Sequence, residues 1–392
     1  MAPRARTLQD PIPSSGLRQL HFSGLLESLA ERDPGPPASA LFATVVALLG
    51  LGLVIQAGYA ATTLTPDAFR ADFLAEARDR GLALIALIAA ARVGLTRLQR
   101  FLPLLVTLAF VSLALVWVPG IGRSVNGSHR WIHLGVSIQP SELARTAFVV
   151  WVAWYCCRLG PRLHSLTGGV LRMFVPTCAL CALVWLQPDK GGALILFACA
   201  CATMWAGGVD ASKVATPFFG LVVGAMAFAA TADSYARRRI DMWLGDQRNE
   251  QVQAGLDAIS SGGLFGAGFS GGELRNRGVS YMDSDLMLAL VGEEFGLYGL
   301  VFVLGLYAAL FWFAFRMVLS IRGRFEAVAA FGLCLAVALQ ALVHAGAVCG
   351  LIPPKGMTLP LLSDGGTSAI VSCLGLGLAI GAARPKPSST SS

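Results

Sequence analysis

The feature that most constrains this sequence is a series of long apolar runs, each about as long as a helix that crosses a lipid bilayer. A spanning helix needs about 20 mostly apolar residues, because the hydrocarbon core is about 30 Å thick. The qualifying runs are approximately 39–60, 81–97, 101–119, 142–158, 170–187, 191–209, 213–232, 286–315, 326–350 and 366–383. Within a bilayer, runs of this length satisfy their backbone hydrogen bonds as helices. The sequence therefore predicts an all-α polytopic membrane protein with about ten transmembrane helices.

Composition supports a membrane protein and argues against a soluble enzyme. Of the 392 residues, 55% are hydrophobic and only 14% are charged, whereas soluble domains carry about 25% charged residues. A net charge of +7 would suggest nucleic-acid binding in a soluble protein. In a membrane protein, Arg and Lys instead collect on cytoplasmic loops. We therefore interpret the positive charge as a sign of topology and expect no nucleic-acid partner.

The basic residues of the short connections predict the orientation. They lie in every second connection and in both tails: Arg92, Arg97, Arg100, Arg158, Arg162, Lys213, Arg316, Arg322, Arg324, Arg4, Arg6, Arg18, Arg32, Arg384 and Lys386. By the positive-inside rule these segments are cytoplasmic. The prediction is a cytoplasmic N-terminal tail (1–40), a transmembrane domain (41–383) and a cytoplasmic C-terminal tail (384–392). The other connections are external, including a first one at about 61–80 and a large loop, 233–285, between helices 7 and 8.

Four carboxylates mark the start of the eighth run. Asp283 and Asp285 stand at its mouth, and Glu293 and Glu294 lie inside it. Charged side chains within a membrane segment are costly and are candidates for a functional site. If the helix already includes Asp285, then Glu293 lies about 80° around the helix from it and about 12 Å further along the axis. The two acids would then face one cavity, and Glu294 would need a different partner.

Cationic residues lie in and after the second external loop. This loop reads NGSHRWI and is followed by QPSELAR, in which Glu142 and Arg145 are three residues apart and so share a helix face. One interpretation is a belt of interfacial aromatic residues at Trp131 followed by a capped helix. The other is a cationic wall, formed by Arg130 and Arg145, beside an external cavity. Arginine suits this second role because its planar guanidinium recognises phosphate in a bidentate manner.

The remaining motifs each have an ordinary structural explanation. QPDKGG, at residues 187–192, has the composition of a tight turn. The glycine-rich stretch 260–272 contains a GxGxxG match, but no strand is predicted before it, so a dinucleotide site is not indicated. It fits either a flexible re-entrant loop or a backbone nest for an anion. The Cys178–Cys181 spacing lies inside an apolar run and is interpreted as packing rather than zinc binding.

Taken together, these blocks resemble the SEDS family of bacterial cell-wall polymerases, most closely its cell-division members. The matching blocks, in family order, are NGSHRWI, QPSELAR, QPDKGGA, YARRRI, Gln251 with the glycine-rich loop, DSDLMLALVGEEFG and KGMTLPLLSDGGTS. They cover roughly residues 40–383. The resemblance implies a peptidoglycan glycosyltransferase of the bacterial cytoplasmic membrane. It would polymerise lipid II into glycan strands at the outer face of that membrane during septal cell-wall synthesis.

The resemblance also assigns roles to residues and implies partners. Asp285 matches the family's essential aspartate, which would position or deprotonate the acceptor's sugar hydroxyl. The implied substrate-binding residues are Arg130, Arg145, Glu142, Glu293, Gln251, Arg239, Lys355 and Ser363. The departing undecaprenyl pyrophosphate needs cationic stabilisation, from Arg130 and Arg145 or shared with a divalent cation (Mg²⁺ or Mn²⁺). The implied partners are lipid II, a class B penicillin-binding protein with transpeptidase activity, and other division proteins.

The sequence departs from the family pattern at Asp283, Arg145 and Asp364. The additional carboxylate at Asp283 would raise the pKa of Asp285 by like-charge repulsion or help to bind a metal. Two further functions stay open from the sequence alone. A lipid II flippase predicts polar residues along a path through both leaflets. A non-catalytic division scaffold predicts that cells tolerate Asp285→Ala and Arg130→Ala.

Overall fold

The protein is a bundle of long helices. The structure is a computed structural model that describes residues 37–125, 128–133, 137–231, 250–273, 283–353 and 356–384. Its helices are α1 (Pro37–Thr63), α2 (Pro66–Leu98), α3 (Leu102–Leu115), α4 (Pro140–Leu159), α5 (Leu171–Leu186), α6 (Lys190–Ala206), α7 (Ala211–Thr231), α8 (Glu250–Ser261), α9 (Met287–Ser320), α10 (Arg324–Val348) and α11 (Gly366–Ala382). A 3₁₀ turn (Gly160–His164) and a π-helical turn (Leu166–Val170) join α4 to α5.

Several of these helices are long and apolar enough to cross a membrane. Among the described residues, 5 segments qualify by length and composition: Pro37–Thr63 (α1), Pro66–Leu115 (α2 and α3 together), Leu166–Leu186 (the π-helical turn with α5), Met287–Ser320 (α9) and Arg324–Val348 (α10). Helices α6 and α11 are also apolar, with 17 residues each. The predicted class, a helical multi-pass membrane protein, is confirmed. The number of ten spans and the boundaries of the tails stay predictions.

The first predicted external connection, 61–80, is wrong. Only Leu64 and Thr65 separate α1 from α2, and the chain is helical again from Pro66. Proline is favoured in the first turn of a helix, and the acidic Asp67 beside it complements the helix dipole. The charged residues that follow are mostly good helix formers, so they extend α2 beyond its apolar part. Hydropathy alone had assigned them to a loop.

A small sheet between α3 and α4 is an exception to the predicted all-α architecture. Strands β1 (Gly122–Val125), β2 (Ser128–His133) and β3 (Ser137–Ile138) form a three-stranded antiparallel sheet in that order. The middle strand contains Trp131 and Ile132, residue types that favour extended structure. The sheet holds Arg130 on a defined strand at the end of the bundle where α4 begins.

Helices α2 and α11 pack closely and run in the same direction. A Cβ on Gly377 would lie 2.3 Å from the carbonyl oxygen of Leu87, and one on Gly381 would lie 2.7 Å from that of Ala91. Small residues allow two helix backbones to approach each other, which is a common way for membrane helices to associate. The contact brings the start of α11, at Gly366, beside Asp79 of α2.

Helix α9 begins later than predicted and contains a break. Residues 283–286 form a turn, and the helix starts at Met287. The predicted 80° relation between Asp285 and Glu293 is therefore wrong, because Asp285 precedes the helix. Within the helix, Gly296 has φ 63° and ψ −157°, a conformation that essentially only glycine adopts. The helix axis is interrupted there.

The glycine-rich loop, residues 262–272, lies against this break. The backbone N–H of Ala267 donates to the carbonyl of Glu293 (2.9 Å), and that of Leu297 donates to the carbonyl of Gly263 (2.9 Å). A Cβ on Gly262 would lie 2.0 Å from the carbonyl oxygen of Gly292, so the two backbones touch. The loop is therefore packed on protein, and the anion nest stays a prediction. Irregular backbone near the membrane is tolerated in such a position.

At one end of the bundle, basic side chains join the connections between helices. There, the Arg324 guanidinium donates to the carbonyl of Gly207 (2.8 Å) and the Lys213 ammonium donates to that of His164 (2.7 Å). Lys213 also bonds the exposed Asp210 and, with His164, holds the pKa of that carboxyl below its usual value. The predicted cytoplasmic connections meet here. The opposite end, where α2, α4, α6 and α11 begin, is called the site end below.

Candidate functional site

Asp285 lies in the turn at the site end, opposite the backbone of the last inter-helix loop. A Cβ on Gly356 would be 3.0 Å from Oδ2 of Asp285, so glycine allows the loop to approach this carboxylate closely. The Asp285 side chain is half-buried. Because the turn precedes the apolar part of α9, Asp285 stands outside the membrane-spanning helix rather than inside it.

The turn is fixed through its main-chain carbonyls. The carbonyl of Asp283 accepts hydrogen bonds from Nε2 of Gln56 (2.6 Å) and from the backbone N–H of Asp364 (3.1 Å). The carbonyl of Ser284 accepts one from the hydroxyl of Ser363 (2.8 Å). Helix α1 and the loop before α11 therefore both hold the residues immediately before Asp285.

The Asp283 carboxyl is a weaker acid than usual. Burial raises its pKa, and the nearby carboxylate of Asp364 raises it further, while the Ser284 hydroxyl opposes the shift. The extra carboxylate of Asp283 is predicted from the sequence to act on Asp285. In the structure, Asp283 is itself acted on by Asp364, the other acidic departure from the family pattern, whose negative charge opposes ionisation of the Asp283 carboxyl.

The loop before α11, residues 356–365, is held at every carbonyl from Met357 to Leu362. The donors are His344 Nδ1 to Met357 (2.7 Å), Gln340 Nε2 to Thr358 (3.3 Å), the backbone of Leu362 to Leu359 (3.2 Å), the Tyr307 hydroxyl to Pro360, and Arg80 to Leu361 (3.3 Å) and Leu362 (3.2 Å). Because a carbonyl only accepts, Nδ1 of His344 carries the proton. Side chains of three helices thus set the conformation of this loop.

Acidic residues on α2 border the loop and were missed in the sequence analysis. Asp72, Glu76 and Arg80 are spaced by four and so share one helix face. Arg80 pairs with Glu76 at 3.1 Å, and the Asp364 carboxyl lies within hydrogen-bonding reach of Glu76. The spacing was visible in the sequence, but this stretch had been assigned to a loop, where spacing of four has no meaning.

Arg145 and Glu142 lie in a buried network rather than on a cavity wall. Each is 7% exposed. Arg145 donates to the side-chain oxygen of Gln340 (2.6 Å), and Glu142 interacts with Gln340 and Ser368. Among the ion pairs of the described residues, none within 4.0 Å joins Glu142 to Arg145. Gln340 links this network to Thr358 of the loop before α11.

Arg130 reaches from the sheet to the turn between α5 and α6. Its Nε donates to the carbonyl of Gln187 (3.2 Å) and its Nη2 donates to that of Pro188 (2.7 Å). Next in the turn, the Asp189 carboxylate accepts a bond from the backbone N–H of Gly192 (2.8 Å) and so caps α6. Gln187 and Pro188 of the QPDKGG motif form a turn, as its composition predicts, and their carbonyls orient Arg130, whereas Lys190 already begins α6.

The other predicted site residues have different positions. Glu293 is buried at 1% exposure, and a Cβ on Gly272 would lie 2.6 Å from its carboxylate, so the glycine-rich loop covers it. The hydroxyl of Ser363 is used within the protein, since it donates to Ser284 and accepts from the backbone of Leu359 (2.9 Å). Arg239, Lys355 and the side chain of Gln251 lie outside the described residues. Their substrate-binding roles stay predictions.

A metal site is not evident at this end of the bundle. Among the described residues, no three side chains of His, Cys, Asp and Glu converge in an arrangement that would hold a metal ion. Asp364 interacts with both Asp283 and Glu76, and Arg80 supplies positive charge beside Glu76.

Comparison with known proteins identifies the family. The model of the FtsW/RodA/SpoVE family, described as "cell cycle protein", matches residues 38–386. The chain belongs to this family. The resemblance to the SEDS family, which is the FtsW/RodA/SpoVE family under another name, is thereby confirmed. A relative from Alkalilimnicola ehrlichii, named probable peptidoglycan glycosyltransferase FtsW, is 34% identical over 356 residues, with 86% of each chain covered.

Solved structures of FtsW/RodA/SpoVE proteins share the fold. One chain of a peptidoglycan synthase complex, described as coordinating polymerization and crosslinking, superposes with a TM-score of 0.69 and 27% identity, covering 87% of this chain and 95% of that one. The rod shape determining protein RodA of Thermus thermophilus superposes with a TM-score of 0.64 and 25% identity, covering 88% and 95%. The helical arrangement that builds the site end is thus that of the family.

Proposed function

We propose that this protein is a peptidoglycan glycosyltransferase that polymerises lipid II. The observation that carries the proposal is the position of Asp285, in a turn at the mouth of a membrane helix and against the backbone of Gly356. A carboxylate placed there meets the headgroup of a lipid-linked sugar without entering the hydrocarbon. The names of the FtsW relatives support the same activity.

In the proposed reaction Asp285 is the catalytic residue. Its carboxylate accepts the proton of the acceptor's sugar hydroxyl as that oxygen attacks the anomeric carbon of the donor. A glycosidic C–O bond forms, the bond between the anomeric carbon and the pyrophosphate oxygen breaks, and undecaprenyl pyrophosphate leaves with the electron pair. Because an aspartate is a weak base, its help is greatest as the transition state develops charge.

The leaving pyrophosphate needs positive charge, and the two arginines are candidates of different kinds. Arg130 is half-buried, and its Nε and Nη2 are engaged with carbonyls, so its orientation is set before substrate binds. Arg145 is buried and held by Gln340, so it acts on the site through the field of its charge. Donors fixed in advance stabilise a developing anion most effectively.

The described residues offer no ligand set for a metal ion, and the proposed reaction assigns no step to one. A requirement for Mg²⁺ or Mn²⁺ is a separate proposal, and polymerisation measured with each cation and with a chelator tests it. Loss of activity in the chelator, restored by one cation, would support a metal bound by the substrate pyrophosphate or by residues outside the described part.

We further propose that the site end faces outward from the cytoplasmic membrane, that both tails are cytoplasmic, and that the protein acts at the septum. Supporting this orientation, the basic connections gather at the end of the bundle opposite Asp285. Lipid II, a class B penicillin-binding protein with transpeptidase activity and other division proteins are the proposed partners. Reporter fusions to the C-terminus test the orientation: a fluorescent cytoplasmic reporter should be active and a periplasmic phosphatase should not.

The deciding experiment is polymerisation of lipid II by the purified protein together with its transpeptidase partner. Wild type should yield glycan polymer, and Asp285→Asn should not. A liposome assay that showed translocation of lipid II without polymer would favour a flippase instead. Cell division that proceeds normally with both Asp285→Ala and Arg130→Ala would favour a non-catalytic scaffold.

A further inference from the structure

Arg80 is a buried cation of the site end, and its two terminal nitrogens are bonded within the protein. It is 6% exposed, and its Nη1 and Nη2 donate to the adjacent carbonyls of Leu361 (3.3 Å) and Leu362 (3.2 Å). Nη2 also lies 3.1 Å from a carboxylate oxygen of Glu76, one turn earlier on the same helix. A planar guanidinium can span two neighbouring carbonyls, whereas a lysine ammonium acts as a point charge. On the other side, Gly52 of α1 leaves room for this contact, since a Cβ there would lie 2.7 Å from the carbonyl oxygen of Leu362.

The backbone that Arg80 holds is strained. Leu361 has φ 73°, in the left-handed region that a leucine rarely adopts, and its side chain is buried at 1% exposure. Such a conformation persists only where its surroundings fix it, and strained residues cluster at functional sites. Here the Tyr307 hydroxyl bonds the preceding carbonyl, that of Pro360, and Arg80 bonds the carbonyls of Leu361 and Leu362. Hydrogen bonds to the carbonyls before, at and after Leu361 therefore fix its conformation.

The strained residue leads directly to the turn that carries Asp285. Two residues after Leu361, Ser363 donates to the carbonyl of Ser284 (2.8 Å). The next backbone N–H, that of Asp364, donates to the carbonyl of Asp283 (3.1 Å). If Leu361 relaxed to negative φ, the direction of the chain would change and neither donor would reach its acceptor. The place of Asp285 therefore depends on the conformation of Leu361.

We propose that Arg80 is a positioning residue for the reaction, acting on Asp285 through Leu361 and Ser363. The proposal rests on the proposed catalytic role of Asp285. Arg80 holds Leu361 in its strained conformation, and the loop then fixes the turn. The residue acts on the rate of the chemical step, because its effect is the alignment of the base. Its contacts are all within the protein, so substrate affinity depends on it much less.

Kinetics of lipid II polymerisation by the complex with its partner test this role. Arg80→Gln should lower kcat by about 10–100-fold, since a misplacement of about 1 Å has effects of that size. KM for lipid II should change little. Arg80→Lys should have a kcat between those of Arg80→Gln and wild type, because lysine keeps the charge but lacks the planar guanidinium that spans two carbonyls. The matched control is Arg78→Gln, because the Arg78 side chain is 54% exposed and pairs locally with Asp79. A raised KM with kcat unchanged would overturn the proposal.

A double variant tests whether Arg80 and Ser363 act along one path. If they do, Arg80→Gln with Ser363→Ala should be no slower than the slower single variant. If the two effects multiply, the residues act independently and the proposed route is wrong.

Hydrogen exchange gives a readout that does not need activity. In Arg80→Gln, amides of 283–286 and 357–363 should exchange faster than in wild type, while those of α8 stay unchanged. Unaltered exchange at 283–286 would refute the coupling, whatever the enzyme's activity. If the wild-type complex made no polymer, the proposed function would fail, and the exchange result would still decide whether Arg80 holds this turn.

Discussion

The hydroxyl of Ser363 donates a hydrogen bond of 2.8 Å to the main-chain carbonyl of Ser284, the residue before Asp285. The same oxygen accepts a bond from the backbone N–H of Leu359 (2.9 Å). The Ser363 side chain thus forms one hydrogen bond within the loop before α11 and one between that loop and the turn at the start of α9. Although the two serines are far apart in sequence, the proposed catalytic aspartate depends on their contact for its position.

Replacing Ser363 should therefore destabilise the protein as well as slow it. Ser363→Ala leaves two buried backbone groups without a partner, which costs about 1–3 kcal/mol. Thermal unfolding in detergent measures this loss. Ser320→Ala is the control, because the Ser320 hydroxyl makes only a local bond to Met317 at the other end of α9. Equal melting temperatures for the two variants would contradict the bridging role.

Asp285→Asn should abolish most polymerisation without unfolding the protein. Proton transfer by a positioned base contributes about 10²–10⁴-fold to a rate, so a loss of that order is expected. Gel analysis of polymer made from labelled lipid II measures it. Asp257→Asn on α8 should behave as wild type, since Asp257 is exposed and its carboxylate accepts a hydrogen bond from Gln253 of the same helix. Full activity of Asp285→Asn would remove Asp285 from the mechanism.

Removing the buried charge of Arg145 should be costly. Arg145→Met leaves the Glu142 carboxylate uncompensated and takes a donor from Gln340, and breaking a buried charged network costs about 3–5 kcal/mol. Arg145→Met combined with Glu142→Gln should regain part of this loss, because no charge is then left alone. Chemical or thermal unfolding of both variants in detergent compares them. A double variant less stable than Arg145→Met would show that the two residues do not compensate each other.

The glycine at the break of α9 should not tolerate a side chain. A Cβ on Gly296 would lie 2.5 Å from the backbone nitrogen of Gly266, and the residue has φ 63°. Gly296→Ala should release the glycine-rich loop, seen as faster proteolysis within 262–272 and a lower melting temperature. Gly305→Ala on the same helix meets no atom within 4 Å and should be neutral or stabilising by up to about 1 kcal/mol. If both variants cleaved at the same rate, the loop would not depend on the break.

Asp283 should make stability depend on pH. Its pKa is raised in the folded protein, so the folded state releases this proton at a higher pH than the unfolded state does. As pH rises past the usual aspartate value of about 4, the unfolded state ionises first and the folded state loses stability. Asp283→Asn removes that effect. It should melt at a higher temperature than wild type near neutral pH, and the difference should vanish at acidic pH.

Melting curves over a pH series measure this difference. Asp257→Asn should show no such pH-dependent gap, because Asp257 is exposed. A difference between Asp283→Asn and wild type that stayed constant with pH would show that the substitution acts by packing, not by charge.

The apolar helices were predictable because bilayer thickness sets their length, and the sequence displays that length directly. The predicted run 366–383 and the observed α11 (Gly366–Ala382) nearly coincide. Hydropathy failed where charged residues extend a helix beyond the apolar part. Residues 66–80 were assigned to a loop for this reason, and with them Arg80 was overlooked.

The site was predictable where a motif names a residue, and not where the fold supplies a contact. Asp285 and Arg145 stand in recognisable blocks. The groups beside them, the Gln340 side chain that accepts from Arg145 and the loop backbone at Gly356 that lies close to Asp285, come from distant segments. Ser363 was chosen as a substrate ligand, but a hydroxyl shows no preference in sequence between substrate and backbone. Only the folded structure shows that the Ser363 hydroxyl binds backbone groups of the protein.

The parallel packing of α2 and α11 has a consequence for biosynthesis. Arg80 is inserted into the membrane early, whereas the carbonyls it binds, those of Leu361 and Leu362, are translated only just before the last helix. Two of the three contacts of the Arg80 guanidinium, those with the carbonyls of Leu361 and Leu362, form only when α11 packs on α2. The third, with Glu76, lies within α2 itself. The turn carrying Asp285 is held on one side by Gln56 of α1, and it gains its contacts with Ser363 and Asp364 only when α11 packs. On the proposed role of Arg80, Asp285 is aligned for the reaction only after α11 has packed on α2.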